Sequence, residues 1–288
     1  MPPPFRLTYH DPPPSLARHL MVLFEFSTDI PYIEDLQPGG LGQFVLFPRG
    51  HGSTVLAGKP QKIEAKAHIM SGFSVAAPFT MYGPWAAIGA SLSPLGWAAL
   101  TGVPASDYVD RFVPVGDLLG AEAKVFTEDL SARYCDGEIS GEEACHEIVQ
   151  WIAPRLGTIP PRHENLMEAT IGWLGSSLSP DLDLLFPRLD YSRRQAERLV
   201  ERYFGLPPAA LARKFRALRS AALLAQDELS DADEAALADA FYDQPHMVHE
   251  IRRFCGYTPT RLGGDGQPIL KTLLQLKNYT RLQEFRAS

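Results

Sequence analysis

No stretch of this 288-residue chain runs for about 18 consecutive apolar residues, so a membrane-spanning helix is not expected. The start of the chain has no basic segment followed by an apolar run, which argues against a secretory signal. Pro2-Pro3-Pro4 and Pro12-Pro13-Pro14 read instead as an extended arm. Cysteine is scarce: Cys135, Cys145 and Cys255 are scattered and lack metal-ligand spacing. That excludes a disulfide framework and a zinc module and points to a reducing, cytoplasmic setting, with the three residues filling core or surface. Cys135 and Cys145 are near enough in sequence to form a redox-sensing pair as an alternative. Histidines do not cluster either. The eight are spread out, and none forms a His-Glu-x-x-His pattern. Gly39-Gly40-Leu41-Gly42 lacks the lysine and following helix of a phosphate loop. Asp35 and His51 are free to meet, but no spacing requires it. His51 and His68 alone do not supply the histidines and glutamate of a cupin-like metal site. No catalytic set, cofactor or metal is expected, so an enzyme reading is disfavoured.

An excess of positive charge is also missing. The net charge is −7, unusual for a nucleic-acid binder, so the distribution matters more than the sum. Residues 1–160 hold 10 Lys/Arg against 17 Asp/Glu, and residues 161–288 balance at 17 each. Within the second half, residues 188–219 carry nine Lys/Arg against three Asp/Glu, whereas residues 227–250 carry eight Asp/Glu and no Lys/Arg. The first of these segments attracts phosphate; the second is expected to bind weakly, or only beside the first.

At this length two domains are expected. After the proline-rich arm, short apolar runs separated by Gly and Pro predict strands over residues 20–26, 42–47, 52–57, 67–71 and 86–92, which suggests a β-sandwich or barrel. Residues 93–102 read as a short helix closing it. Residues 115–156 carry two helical patterns. Leu118, Val125, Leu130 and Tyr134 give one apolar stripe; Ile148, Val149, Trp151, Ile152 and Leu156 give the other, after a capping box at Ser140-Gly141-Glu142-Glu143. These helices either form a dimer interface or pack on the β domain. Pro160-Pro161 marks a linker, a helix is expected over residues 163–177, and another over residues 181–189.

Two helix-turn-helix patterns follow, joined by one long helix. Ser192 is a helix cap, and Ala196, Leu199, Val200 and Tyr203 recur at helical spacing, with Arg193, Arg194, Arg198 and Arg202 off that stripe. Gly205-Leu206-Pro207-Pro208 stops the helix. The connecting helix runs to about Gln226, with Leu211, Phe215, Leu218, Ala222 and Ala225 on one face. The second pattern spans residues 235–254, with Asp243 as the cap and Pro245 in the first turn.

These motifs resemble the AraC family of DNA-binding domains. Ser192-x-Arg194-Gln195-x-Glu197-Arg198 and Phe204-Gly205 look like the first half. Phe241-Tyr242-Asp243-Gln244-x-His246 with Arg252-Arg253-Phe254-x-Gly256-Tyr257-Thr258-Pro259 looks like the second. The resemblance covers roughly residues 165–262 and implies a transcription regulator that sets two helices into successive major-groove segments. It implies that Arg194, Glu197 and Arg198 face bases, since arginine bonds two guanine acceptors and glutamate accepts from cytosine. Arg193 and Arg202, with Arg213, Lys214 and Arg216 on the connecting helix, are phosphate or surface charges. Gln244, His246, His249, Arg252 and Arg253 are the second unit's candidates, with His246 equally suited to a structural cap. The chain departs from the pattern at Asp190 and Ala240, where glycine is usual, at Ala235, and at His249, where arginine is common. Residues 86–119, including Ser93-Pro94-Leu95-Gly96-Trp97 and Asp110-Arg111-Phe112-Val113-Pro114, resemble the cupin-like sensory domain found before some AraC-type domains.

The expected fold is therefore α+β: a cupin-like β-barrel or sandwich over residues 1–115, a helical subdomain over 116–157, a linker over 158–164, an all-α double helix-turn-helix domain over 165–262 and a helical extension over 263–288. The extension docks on its own chain or on a partner subunit. The expected function is sequence-specific regulation of transcription, with double-stranded DNA read mainly by the first recognition helix. The N-terminal domain then serves a small-molecule effector, dimerisation or both, in a homodimer without membrane contact. Phe24, Phe44, Phe47, Phe73, Phe79, Tyr82 and Trp85 are candidate pocket linings, or plain core. The alternatives are a degenerate family member acting mainly through a protein partner and, more remotely, a metal-dependent cupin enzyme with a DNA-binding tail.

Overall fold

A computed structural model describes residues 5–64, 66–226 and 228–262. The expected extension over 263–288 lies outside the described residues. The chain divides into two compact units. The first comprises Met1–Glu34, Leu41–Gly72 and Pro78–Ile159; the second comprises Asp35–Gly40, Phe73–Ala77 and the chain from Pro160 on. The architecture is α+β, with an antiparallel sheet followed by helices.

The sheet has eight strands: β1 (Phe5–His10), β2 (Leu20–Thr28), β3 (Tyr32–Gln37), β4 (Gly42–Leu56), β5 (Lys59–Ile63), β6 (Ala67–Met70), β7 (Ala77–Leu92) and β8 (Val113–Pro114). Their order is β1-β2-β7-β4-β6-β8, with β3 on β7 and β5 on β4. The five expected runs fall on four strands, because two of them form one. Residues 42–47 and 52–56 belong to the single 15-residue β4, whose register against β7 shifts between Leu46 and His51. Gly50 sits at that irregularity with φ +82, and a Cβ there would lie 2.6 Å from the Trp85 ring. The strand bends at glycine and continues, which a sequence reading takes for a turn. Within the expected extended arm, Phe5–His10 pairs with β2.

Alternation along the strands sends Phe44 and Leu46, Ala67 and Ile69, and Ile88, Ala90 and Leu92 to one face. There they are buried with Trp97 of α1 (Pro94–Thr101), Leu130 of α3 (Ala121–Cys135) and Ile148, Trp151 and Ile152 of α4 (Gly141–Ile152). Between α1 and α3 lies the short α2 (Val115–Leu119). The expected capping box at Ser140 is formed with Glu143. Val125, expected in the buried stripe of α3, is 66% exposed instead, and Ala123, Thr127 and Leu130 bury that helix. Cys145 is buried and its thiol is pushed up to about 12 by desolvation, which keeps it protonated and unreactive.

The opposite side of the strands carries Phe47, His68 and Trp85. Phe112 stacks on His68 at 4.5 Å between ring centroids. His68 is 2% exposed, its Nδ1 has no hydrogen-bond partner among the described residues, and burial lowers its pKa to about 4.

The second unit contains α5 (Pro161–Leu174), α6 (Arg193–Phe204), α7 (Pro208–Leu224), α8 (Asp231–Ala240), α9 (Gln244–Cys255) and α10 (Pro259–Leu262). The helix expected over residues 181–189 is not formed; two short 3-10 turns, Leu182–Leu184 and Phe186–Arg188, take its place. Pro187 removes a backbone donor there. The turns are fixed by Trp173, fully buried, whose indole donates to the Asp181 carbonyl at 2.7 Å.

Helix α7 is the axis of this unit, and its cations are engaged with protein, Arg213 while its side chain stays 45% exposed. Arg213 grips the fully buried Glu250 of α9 with two hydrogen bonds of 2.6 and 2.7 Å. Arg216 lies 4.0 Å from the same carboxylate, 5.1 Å from the Phe241 ring centre, and donates to Ser179 Oγ. Arg219 is buried and donates to the carbonyls of Ser177 and Leu178. Desolvation pulls its pKa down to about 10, so it remains a cation at neutral pH. Lys214 Nζ donates to the carbonyls of Gly40 and Phe73 at 2.8 and 2.7 Å. Those acceptors belong to the two short segments that join this unit. Gly39 N–H donates to Phe254 O, Ala76 N–H to Arg253 O, and the Tyr257 hydroxyl to Asp35 Oδ1 at 2.6 Å. Asp35 is thus engaged by Tyr257, while His51 stacks on Tyr82.

Two outcomes are expected. The unfolded chain protonates His68 near its ordinary value of 6.5 and the folded chain only near 4. Its contribution is therefore complete above about pH 6.5 and is lost as pH falls towards 4, by about 3 kcal/mol. Urea unfolding at neutral pH and at pH 4.5 should show a smaller acid loss for His68→Leu than for the parent chain; equal losses would refute this. Arg219→Ala strands two carbonyls and should cost about 3 kcal/mol, whereas the exposed Arg202→Ala should stay within about 0.5 kcal/mol, read from the same unfolding curves.

Candidate nucleic-acid interface

The two helices with recognition geometry, α6 and α9, are each 12 residues long and are delimited by the same chemistry. Ser192 accepts from Gln195 N–H, and Gln195 returns the bond in a capping box. Asp243 accepts from His246 N–H at 2.7 Å. Each side chain satisfies one of the donors orphaned at a helix start. Each helix ends at a left-handed glycine, Gly205 with φ +81 and Gly256 with φ +89, whose N–H closes the last turn on Glu201 O and Arg252 O. A side chain at Gly256 would also meet Leu36 at 2.7 Å.

The register is shared as well. Counted from the first helical residues, Arg193 and Gln244, the two helices are offset by 244 − 193 = 51 positions. Ala196, Val200 and Tyr203 face inward on α6; Met247, Ile251 and Phe254 hold the same places on α9. Leu199, expected in the α6 stripe, is half-buried. The outward positions of α6 hold Arg193, Arg194, Glu197, Arg198 and Arg202. Their counterparts on α9 are Gln244, Pro245, Val248, His249 and Arg253.

Arg194 and Arg198 are exposed and make no ion pair among the described residues. Arg193 is engaged with protein. It lies over the Phe186 ring at 4.6 Å and pairs with Asp183 at 3.4 Å and Glu197 at 3.3 Å, its side chain remaining 58% exposed. Glu197 is half-buried and held by that pair. Arg202 is exposed near the Tyr203 ring. Helix α6 is braced from α5 at both ends: His163 Nδ1 and Oη of Tyr203, in the last turn of α6, lie 2.6 Å apart, and Arg162 donates to Asp190 O, just before α6, at 2.7 Å. Asp190, where glycine is usual, has no positive φ, and neither has Ala240; the backbone at both places accepts a side chain without strain.

On α9, Gln244, His249, Arg252 and Arg253 are exposed. His246 is not. Its ring packs edge-on to Phe241 at 5.8 Å, and its Nδ1 is buried without a partner, so it serves the helix start rather than the surface. Glu250 fixes the rotation of α9 against α7. Burial pushes its carboxyl up, but the Arg213 bonds outweigh this and hold it below the ordinary carboxylate value. Nothing in the sequence marked Glu250, which reads as one more acid in an acidic segment. Within that segment, α8 exposes Asp231, Glu234 and Asp239.

Of the aromatic residues expected as pocket linings, Phe44 is core against Trp151, Phe47 packs on both His68 and Trp85, and Tyr82 is exposed beside Tyr32. Phe73 lies in a segment of the second unit.

Residues 186–263 match the family described as a helix-turn-helix domain. The chain is similar to the HTH-type transcriptional regulator GbdR of Pseudomonas aeruginosa, with 32% identity over 114 residues, 40% of this chain and 30% of that protein. It thus spans under a third of the length of the curated relatives it matches. Among solved structures, ToxT from Vibrio cholerae aligns over 89% of this chain and 96% of its own at 10% identity and a TM-score of 0.46. The AraC-like transcriptional activator CuxR aligns over 76% and 87% at 14% identity and a TM-score of 0.29. Both likenesses are too slight to inform individual residues. The paired caps, the paired glycine stops and the match over residues 186–263 converge on one conclusion: the chain carries an AraC-type helix-turn-helix domain.

Proposed function

We propose that this protein is a sequence-specific, DNA-binding regulator of transcription, reading duplex DNA mainly through α6. One observation carries the reading: Arg194 and Arg198 stand exposed at the N-terminal half of a capped helix, with no ion pair among the described residues. Unpaired arginines on such a helix suit the O6 and N7 acceptors of guanine, and Glu197 suits cytosine N4. Arg193 and Arg202 lie beside them as phosphate contacts. Arg252 and Arg253, with Gln244 and His249, form the corresponding but weaker surface of the second unit. A small-molecule effector belongs to the N-terminal domain of residues 1–115, residues 116–157 are a helical subdomain, and the DNA-binding domain covers residues 165–262. A homodimer matches the two-fold symmetry of most bacterial operators. Such a regulator works in the cytoplasm; among the described residues no helix is long and apolar enough to cross a membrane. The exposed acids of α8 favour a second reading, in which the second unit meets a protein partner.

Selection of genomic fragments by the full chain, repeated across salt concentrations, tests this. A preferred fragment and a negative salt slope are expected. Arg194→Ala and Arg198→Ala should each lower affinity for that fragment roughly ten-fold or more and flatten the preference; Arg202→Ala should weaken all fragments alike. A preference that survives loss of both Arg194 and Arg198 refutes the assignment of α6. Copurification of a defined protein with no preferred fragment favours the second reading. Light scattering should report a dimer at micromolar concentration, and a monomer there counts against the symmetric assembly.

A further inference from the structure

The shared register of α6 and α9 makes their outward faces comparable position by position, and the comparison shows a change of chemistry. Where α6 carries Arg194, Glu197 and Arg198, α9 carries Pro245, Val248 and His249. Just before the Asp243 cap stands Tyr242, 94% exposed and so without support from the protein around it. The helix opens with exposed Gln244. From this we infer that α9 reads A·T base pairs, burying thymine methyl groups against Tyr242, Pro245 and Val248 while Gln244 meets adenine. The inference rests on the DNA-binding function proposed above.

In the major groove the C5-methyl group belongs to thymine alone, and apolar side chains distinguish it. A glutamine amide matches the N6–H donor and N7 acceptor of adenine. Phosphate attraction in this half falls to Arg252 and Arg253 in the last turn of α9, since residues 227–250 contain no Lys or Arg. Apolar contact is what remains to the start of the helix. It is also held in place. Ile251 and Phe254 are buried on one side of α9, and Glu250 is gripped by Arg213, so the helix cannot roll to present other residues.

The test uses a fragment selected by the full chain. Thymines in each half of the site are replaced one at a time by deoxyuridine, which keeps base pairing and removes only the methyl group. A loss of roughly four-fold per contacted methyl is expected in the half bound by α9, and no comparable loss in the half bound by α6. Tyr242→Ser and Val248→Ser, substitutions on the outer face, should bind with reduced affinity and no longer respond to deoxyuridine. Deoxyuridine without effect in the α9 half, or a G·C-rich preference there, overturns the inference and leaves the DNA-binding function standing. A chain that selects no fragment at all overturns both.

Discussion

Charges buried inside a helical unit must find partners, and that requirement organises the second half of this protein. A buried charge that loses its partner costs about 3–5 kcal/mol, so the buried Glu250 and Arg219 fix the elements that meet them. Arg213 and Arg216 meet α9 through Glu250, and Arg219 meets the turn after α5 through the carbonyls of Ser177 and Leu178. Spaced three residues apart, they lie along one side of a helix. The two halves of the domain are thereby tied to a single rod. The row is imperfect, since the Nε groups of Arg216 and Arg219 are buried without a partner among the described residues. That residual cost is consistent with a row that specifies geometry more than it adds stability.

Within that frame the two recognition helices are duplicates in backbone and core and differ in what they show to solvent. Cap, inward triad and glycine stop recur at the same offset, while the outward residues change from arginine and glutamate to proline, valine and histidine. The paired glycines are demanded by positive φ at both helix ends. Asp190 and Ala240 stand where the family usually has glycine, and there the backbone makes no such demand.

Legibility in the sequence followed the range of the interaction. Caps at Ser140, Ser192 and Asp243, the glycine stops and the long helix between the two motifs depend on neighbours within four residues, and all could be read. So could exposure of Arg194 and Arg198, because an amphipathic stripe names its own outer face. β4 read as two strands because a bend at Gly50 has the same local signature as a turn. Residues 181–189 read as helix because the helix-turn-helix pattern asks for a support helix there, despite Pro187; the fixing contact, from Trp173, comes from another element. Arg213, Lys214, Arg216 and Glu250 were the least legible. A charged residue looks the same in a sequence whether it faces water or a partner 37 positions away. The equivalence of α6 and α9 lay in the sequence throughout, but aligning them needed helix limits that only the structure supplied.

Asp35–Gly40 and Phe73–Ala77 belong to the helical unit although the chain reaches it in earnest only at Pro160. Severing the polypeptide between Ile159 and Pro160 would therefore not release an intact half. The excised piece would leave behind the carbonyls of Gly40 and Phe73 that receive the Lys214 ammonium, and the carboxylate that receives the Tyr257 hydroxyl. The autonomous module of this protein is discontinuous along the backbone, and its true limits are drawn by who accepts whose proton.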